Sequence, residues 1–232
     1  MSKPFTEADF SAQITEDRNW RMREISDLKT AAERADENLR KALLRSLVAI
    51  CYAHWEGYVA FAAHKYLEYI ALRKYQYREL NRQFLRNYFL PRLAALSATR
   101  KGLAERCSLI DEILDSSQRR YTRVNESLIN TKANLNFEVF TDICLVCNLS
   151  PKAFDGKAIF IDVFLLKRRN QIAHGEETFI EVSDLEELAE TTISLMRTFG
   201  DELENHIYLK GYKSPQKTAH SGLTKTLSQS QT

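Results

Sequence analysis

Chain breakers are scarce in this sequence: seven glycines and four prolines occur in 232 residues. A helix tolerates few of either residue, so the shortage favours long helices over strands joined by tight turns. Long apolar runs are also missing. No stretch approaches the ~18 consecutive apolar residues that a membrane-spanning helix needs, so no membrane partner is expected. The N-terminus lacks a basic-then-apolar leader pattern, and a cytoplasmic protein with reduced thiols is the expectation. Charge of one sign is lacking too. The 33 basic and 31 acidic side chains leave a formal charge of +2, which by itself names no polyanion partner. A nucleic-acid site must then come from local clustering. Cysteine is limited to positions 51, 107, 144 and 147. Cys144 and Cys147 have a CxxC spacing, but they lie in an apolar helical run without a second pair or a His-rich companion segment. They read as small buried apolar residues, so neither a metal nor a cofactor is expected.

What the chain does have is helical periodicity. Residues 6–38 are charge-rich, with Phe10, Ile14, Trp20, Met22, Ile25 and Leu28 in a narrow apolar stripe. This pattern predicts a long, mostly exposed helix. Residues 39–72 repeat apolar side chains at spacings of three and four, including Leu43, Leu47, Cys51, Trp55, Tyr58, Val59 and Tyr66, so they predict a core helix. Gly57 in its middle suggests close backbone approach by a neighbour. Residues 75–97 predict a helix that ends or kinks near 87–90, ahead of Pro91.

Leu103 to Leu114 predicts a short helix, 115–134 a polar connection, and Phe137 to Leu149 another helix. Ser150 and Pro151 have the chemistry of a helix start. Residues 157–174 predict a helix that Gly175 stops. Thr178 to Val182 reads as extended. Ser183 to Glu186 fits a capping box that opens a helix to about Tyr208. Residues 211–232 read as a disordered tail. The sum is an all-α fold: an elongated bundle of about six or seven helices in one domain over 1–210.

The most informative segment is Arg168-Arg169-Asn170-Gln171-Ile172-Ala173-His174-Gly175. It follows the apolar run Ala158–Leu166. Asn170 and His174 are four apart, so a helix places them on one face. A histidine exchanges protons near neutral pH. An arginine donates two parallel hydrogen bonds to phosphate oxygens and stabilises charge that develops there. Together they suffice to help the 2′-hydroxyl of RNA attack its neighbouring phosphorus without a metal. Helix geometry alone does not choose between Arg168 and Arg169. Helix capping and the helix dipole account for the same residues without any chemistry. One histidine per chain is thin for both acid and base, and a two-fold dimer would supply a second.

Arg169-Asn170-x-x-x-His174 resembles the motif of the HEPN family: an arginine, four to six residues that often begin with a polar one, then a histidine. Tyr52-Ala53-His54-Trp55-Glu56-Gly57-Tyr58 and Thr131 to Val139 also resemble segments of stand-alone prokaryotic HEPN proteins. The resemblance covers most of residues 40–200 and implies a HEPN-like helical domain that dimerises. It further implies a metal-independent endoribonuclease that leaves 2′,3′-cyclic phosphate ends and acts in a toxin–antitoxin or antiphage system. RNA is then the substrate, a homodimer carries the site at its interface, and an antitoxin or defence partner protein is possible. Arg169, Asn170 and His174 match the catalytic positions. Arg168 is an alternative arginine within the allowed spacing. The other function the family allows is a non-catalytic module that binds RNA, nucleotide or protein. Trp55 reads as packing, and Glu56 as a supporting partner of Arg168 or Arg169. His54 and His64 read as surface or satisfied core histidines, and Asn134 as a helix cap. Tyr75, Tyr77, Arg78, Arg82, Phe84, Arg86 and Tyr88 interleave aromatic and basic residues. Either an RNA-stacking surface or a core stripe with a solvated basic face would look like this.

Overall fold

The computed structural model describes residues 2–98, 102–132 and 134–215. It is all-α, and no β-strand occurs among the described residues. Helix α1 (Glu7–Arg34) starts at a reciprocal cap, in which Thr6 and Asp9 each accept the other's backbone N–H. Ala35 turns the chain, and Asp36 caps α2 (Glu37–Leu72) by accepting from Leu39 N–H. Arg40 closes the corner from α2, donating to the carbonyls of Ala32 and Ala35. The break thus falls at 35–36, where the Asp36 side chain competes for the backbone.

Helix α2 runs antiparallel to α1, and Phe10 meets Tyr69 at a ring separation of 6.0 Å. Trp55, Tyr58 and Tyr66 are fully buried, as the 39–72 periodicity predicts. The last long helix, α7 (Asp184–Tyr208), packs on both. Phe140, Phe154 and Phe199 surround Trp55 with ring centroids 5.1–6.4 Å away. Two helical glycines give room to arginines. A Cβ on Gly57 would lie 2.6 Å from Arg21 Nη1, so the neighbour that needs this space is a guanidinium, not a backbone. Gly200 leaves space in the same way for the Tyr58 hydroxyl and Arg18.

Helix α3 (Arg82–Ala98) contains Pro91 and continues through it, where the sequence predicts an end or kink. Contacts hold it on both sides of the proline. Phe84 is buried and Asn87 donates to the Val146 carbonyl at 2.8 Å, while Arg92 pairs with Glu112 of α4 (Leu103–Asp115) at 2.6 Å. Residues 116–132 are an irregular connection with two short 3-10 turns, Ser116–Gln118 and Glu126–Leu128, and α5 (Phe137–Val146) follows a cap by Asn136. Cys144 and Cys147 are buried free thiols, and burial pushes both well above the usual thiol range.

The predicted helix 157–174 exists as a rod of two kinds. Phe160–Lys167 form π-helical turns, and α6 (Arg168–Ala173) resumes ordinary helix. A π stretch changes the rotation per residue, so α6 does not continue the phase of the apolar run before it. The segment Thr178–Val182 is not a strand but an irregular loop. The capping box at Ser183 does not form. Ser183 is helical, its hydroxyl donates to Glu181, and α7 is anchored by Asp184 instead. Residues 211–215, expected to begin a disordered tail, are packed: Tyr212 is buried and its carbonyl accepts from Asn81 N–H at 2.8 Å. The rest of that expected tail, 216–232, lies outside the described residues. No helix of the described residues is long and apolar enough to cross a membrane.

Candidate functional site

The site forms where α6 ends against α2. Gly175 adopts φ +76°, and two backbone bonds close the helix: Glu176 N–H to Gln171 O (2.9 Å) and Gly175 N–H to Ile172 O (3.1 Å). This is the left-handed C-terminal cap that glycine favours. It fixes the backbone of His174, whose N–H still reaches Asn170 O at 3.0 Å. Asn170 and His174 therefore keep the one-turn relation that the sequence predicts. Arg45 of α2 adds a bond to the Glu176 carbonyl at 2.9 Å and holds the following loop down. The His174 side chain is exposed to solvent.

The two arginines have different surroundings. Arg168 pairs with Asp184 at the start of α7, Nη1 to Oδ2 at 2.9 Å, and its guanidinium lies 4.6 Å over the Phe164 ring. Arg169 turns the other way, with its guanidinium 4.1 Å from the centre of the Tyr52 ring. Tyr52 belongs to α2 and is buried. Burial pushes its phenol above the ordinary value, against the lowering effect of Leu135 N–H and Arg169. The ring stays neutral at physiological pH and offers Arg169 a π face.

Tyr52 also builds the opposite wall. Its oxygen accepts the Leu135 N–H at 2.7 Å. Asn170 Nδ2 donates to Asn134 Oδ1 at 3.3 Å, and Asp162 of the π stretch accepts Phe137 N–H at 2.6 Å. Side chains from α2, α6 and the π stretch thus pin residues 134–137 beside the motif. Asn134 is not the helix cap that the sequence suggests. Asn136 caps α5, and Asn134 faces Asn170 instead.

Glu56 lies one turn beyond Tyr52 on α2, and its Oε1 is buried without a hydrogen-bond partner among the described residues. Of its two expected arginine partners, Arg168 is engaged by Asp184. His54 stands apart from the site. It is buried, pairs with Glu24 at 2.7 Å and meets Trp20 edge-on at 5.0 Å, the satisfied histidine that the sequence suggests. Among the described residues, no group of three or more His, Cys, Asp or Glu side chains could hold a metal ion.

Three participants were not singled out by sequence reasoning: Tyr52, Asn134 as a partner of Asn170, and Asp184. Tyr52 and Asn134 are distant in sequence from residues 168–174, and Asp184 lies ten residues past His174. Only the co-occurrence of the Tyr52–Tyr58 and Thr131–Val139 segments with the motif hinted at the first two. The arrangement can hold an anion at a guanidinium, orient an amide beside it and present an imidazole to solvent. Comparison with curated proteins and with solved structures finds no match. A family model, RiboL-PSP-HEPN, matches residues 16–205, from the first helix almost to the end of the last. The match spans well over half of the chain, so the chain belongs to the RiboL-PSP-HEPN family.

Proposed function

We propose that this protein is a metal-independent endoribonuclease, with Arg169, Asn170 and His174 as its catalytic residues. One observation carries the proposal: Arg169 and Asn170 are held by a dedicated wall, Tyr52 and Asn134, beside an exposed His174. A helix end decorated only for capping needs no such wall. Arg169 is the arginine of choice because it shares this wall with Asn170, whereas Arg168 ties α6 to α7 through Asp184. Arg168 and Glu56 then support the site from outside the chemistry.

In the proposed reaction the ribose 2′-oxygen attacks the adjacent phosphorus and the 5′-oxygen of the next nucleotide leaves. A base takes the 2′-hydroxyl proton and an acid gives one to the leaving oxygen. The products are a 2′,3′-cyclic phosphate and a 5′-hydroxyl. Arg169 donates to the non-bridging oxygens, where charge builds in the transition state. An imidazole can take a proton or give one, so His174 can serve in either role. Two such histidines come from a homodimer whose two-fold axis passes beside α6. Exposed Ile159, Val163 and Phe179, on the π rod and the loop after α6, are the apolar surface that such a pairing would cover. The protein would act in the cytoplasm as part of a bacterial toxin–antitoxin or antiphage defence system, as the family resemblance implies, with an antitoxin-like or defence partner.

Labelled RNA incubated with the protein in EDTA tests the reaction directly. His174→Ala is expected to lower cleavage by about 10²–10⁴-fold with an unchanged melting temperature. Arg169→Ala should lose about 10²–10³-fold, and more than Arg168→Ala. Undiminished cleavage by His174→Ala would remove the proposal. Absence of cleavage by the wild type, with RNA or nucleotide still bound, would indicate a non-catalytic binding module.

A further inference from the structure

The second feature with ligand-binding chemistry lies between α3 and residues 121–128. We propose that this cleft is a separate contact site for single-stranded RNA, taking an unstacked base and its phosphate upstream or downstream of the cleaved bond. The choice of RNA as ligand rests on the ribonuclease reading; the existence of the site does not.

The cleft has a volume of about 510 Å³, and Tyr77, Tyr88, Tyr121, Arg92, Arg123 and Asn125 contribute to its lining. Tyr77 and Tyr121 are buried and form its floor, with their ring centroids 6.0 Å apart. Tyr88 is 37% exposed at the mouth, 5.8 Å from Tyr77. Arg92 lies 5.8 Å from the Tyr88 ring centre, and Arg119 approaches the Tyr88 hydroxyl at 3.4 Å. Glu112 holds both arginines in place, Arg92 at 2.6 Å. Arg123 is exposed and makes no ion pair among the described residues. An aromatic platform beside a guanidinium is the recurring way to hold an unpaired base and its phosphate without reading sequence.

Charge supports the same ligand. Residues 73–92 carry six basic side chains and one acidic one, and 119–123 add three arginines and no acid, in a chain whose formal charge is only +2. Arg78, Arg82 and Arg86 are exposed on the turn before α3 and on α3 itself. This end of the molecule therefore attracts a polyanion although the whole chain does not. Position supports it as well. Leu128 at the cleft and Asn134 at the catalytic wall are six residues apart, so at most about 20 Å of chain separates the two places. That distance is within reach of a strand of ~4–16 nucleotides, the usual range of a single-strand groove.

The test uses the full chain and two RNA lengths. In a His174→Ala background, a labelled single-stranded RNA of about ten nucleotides is titrated by fluorescence anisotropy at several salt concentrations. Tyr88→Ala and Arg123→Ala are each expected to weaken binding about five-fold or more. Arg123→Ala should also flatten the salt dependence, and Tyr88→Trp should keep most of the affinity. In the cleaving protein, the same variants should raise KM for the ten-mer and leave turnover of a dinucleotide unchanged. Unchanged ten-mer affinity in both variants would overturn the proposal, as would equal losses on ten-mer and dinucleotide. A wild-type chain that binds the ten-mer through Tyr88 and Arg123 but cleaves nothing would refute the ribonuclease and keep the cleft. Because Arg123 is exposed and makes no ion pair among the described residues, its variant remains informative even where Tyr88→Ala unfolds.

Discussion

The α1–α2–α7 frame and the α3–α4 pair are built from similar residues but bury them differently. In the frame, Phe10, Ile14, Leu47, Trp55, Tyr58, Tyr66 and Phe199 have no exposed surface. In the α3–α4 pair, α3 buries Phe84 and Phe89, but Leu103, Ile110 and Leu114 of α4 are 78%, 56% and 73% exposed, and Leu109 is the buried residue of α4. The frame gains its stability from packing, whereas α4 is held mainly by polar links such as Arg92–Glu112. The two proposed sites divide along the same line. Arg169 and Asn170 stand on α6 and His174 caps it; α6 packs against α2 of the frame, so their geometry is inherited from a core helix. The aromatic and basic cleft belongs to the looser region, where side chains can adjust to a flexible ligand.

Substitutions in the two regions should diverge most at the core. Trp55→Ala is expected to cost about 3–5 kcal/mol, while Leu114→Ala should stay within about 0.5 kcal/mol. Urea unfolding of both measures the contrast, and equal costs would erase it.

A smaller effect is expected where the frame meets the site. Tyr52→Phe keeps the ring under Arg169 but strips the acceptor from Leu135 N–H, a loss of about 1–3 kcal/mol for an unpaired buried donor. Cleavage should fall through kcat, because Asn134 loosens beside Asn170 while the phosphate contact survives. A change confined to KM would argue that the 134–137 wall positions nothing.

The smallest effect is a pH dependence inside the frame. His206 is half-buried, with Nδ1 2.5 Å from the Tyr66 hydroxyl, and this partial burial lowers its pKa from the ordinary value. The fold therefore favours neutral imidazole. Its contribution is fully present above the unfolded value of ~6.5 and is lost as pH falls through the lower folded value. Urea midpoints measured at pH 7.5 and pH 5 should show less acid sensitivity in His206→Asn than in the wild type. An unchanged difference between the two pH values would place the acid sensitivity elsewhere.

Much of this molecule is legible along the chain. The frame helices announce themselves because their apolar side chains repeat every three or four residues over many turns. Gly175 marks a helix end close to where the residue type demands it. Local signals failed wherever a distant contact outbid them. Pro91 should end or kink a helix near 87–90, but α3 continues through it, with Asn87 and Arg92 both held by other elements. Ser183 should cap α7, but its hydroxyl turns to Glu181 and the helix is tied down through Asp184 to Arg168. Residues 211–215 are not the tail that composition suggests, because Tyr212 packs beside Tyr69 and Tyr75.

The same division applies to the site. Sequence by itself determined the helical class, the frame and the single segment that carries Arg168, Arg169, Asn170 and His174, since spacing along one helix needs no partner. Tertiary structure alone decided what each of those side chains meets. It sends Arg168 to Asp184 and Arg169 to Tyr52, and it brings Asn134 to Asn170 across 36 residues of chain. The π turns before Arg168 change the direction in which the segment faces, and the packing of the rod against α2 decides which residues it meets. Periodicity is written locally, but the partner of a charge depends on which elements arrive beside it, and that is settled only when the core is packed.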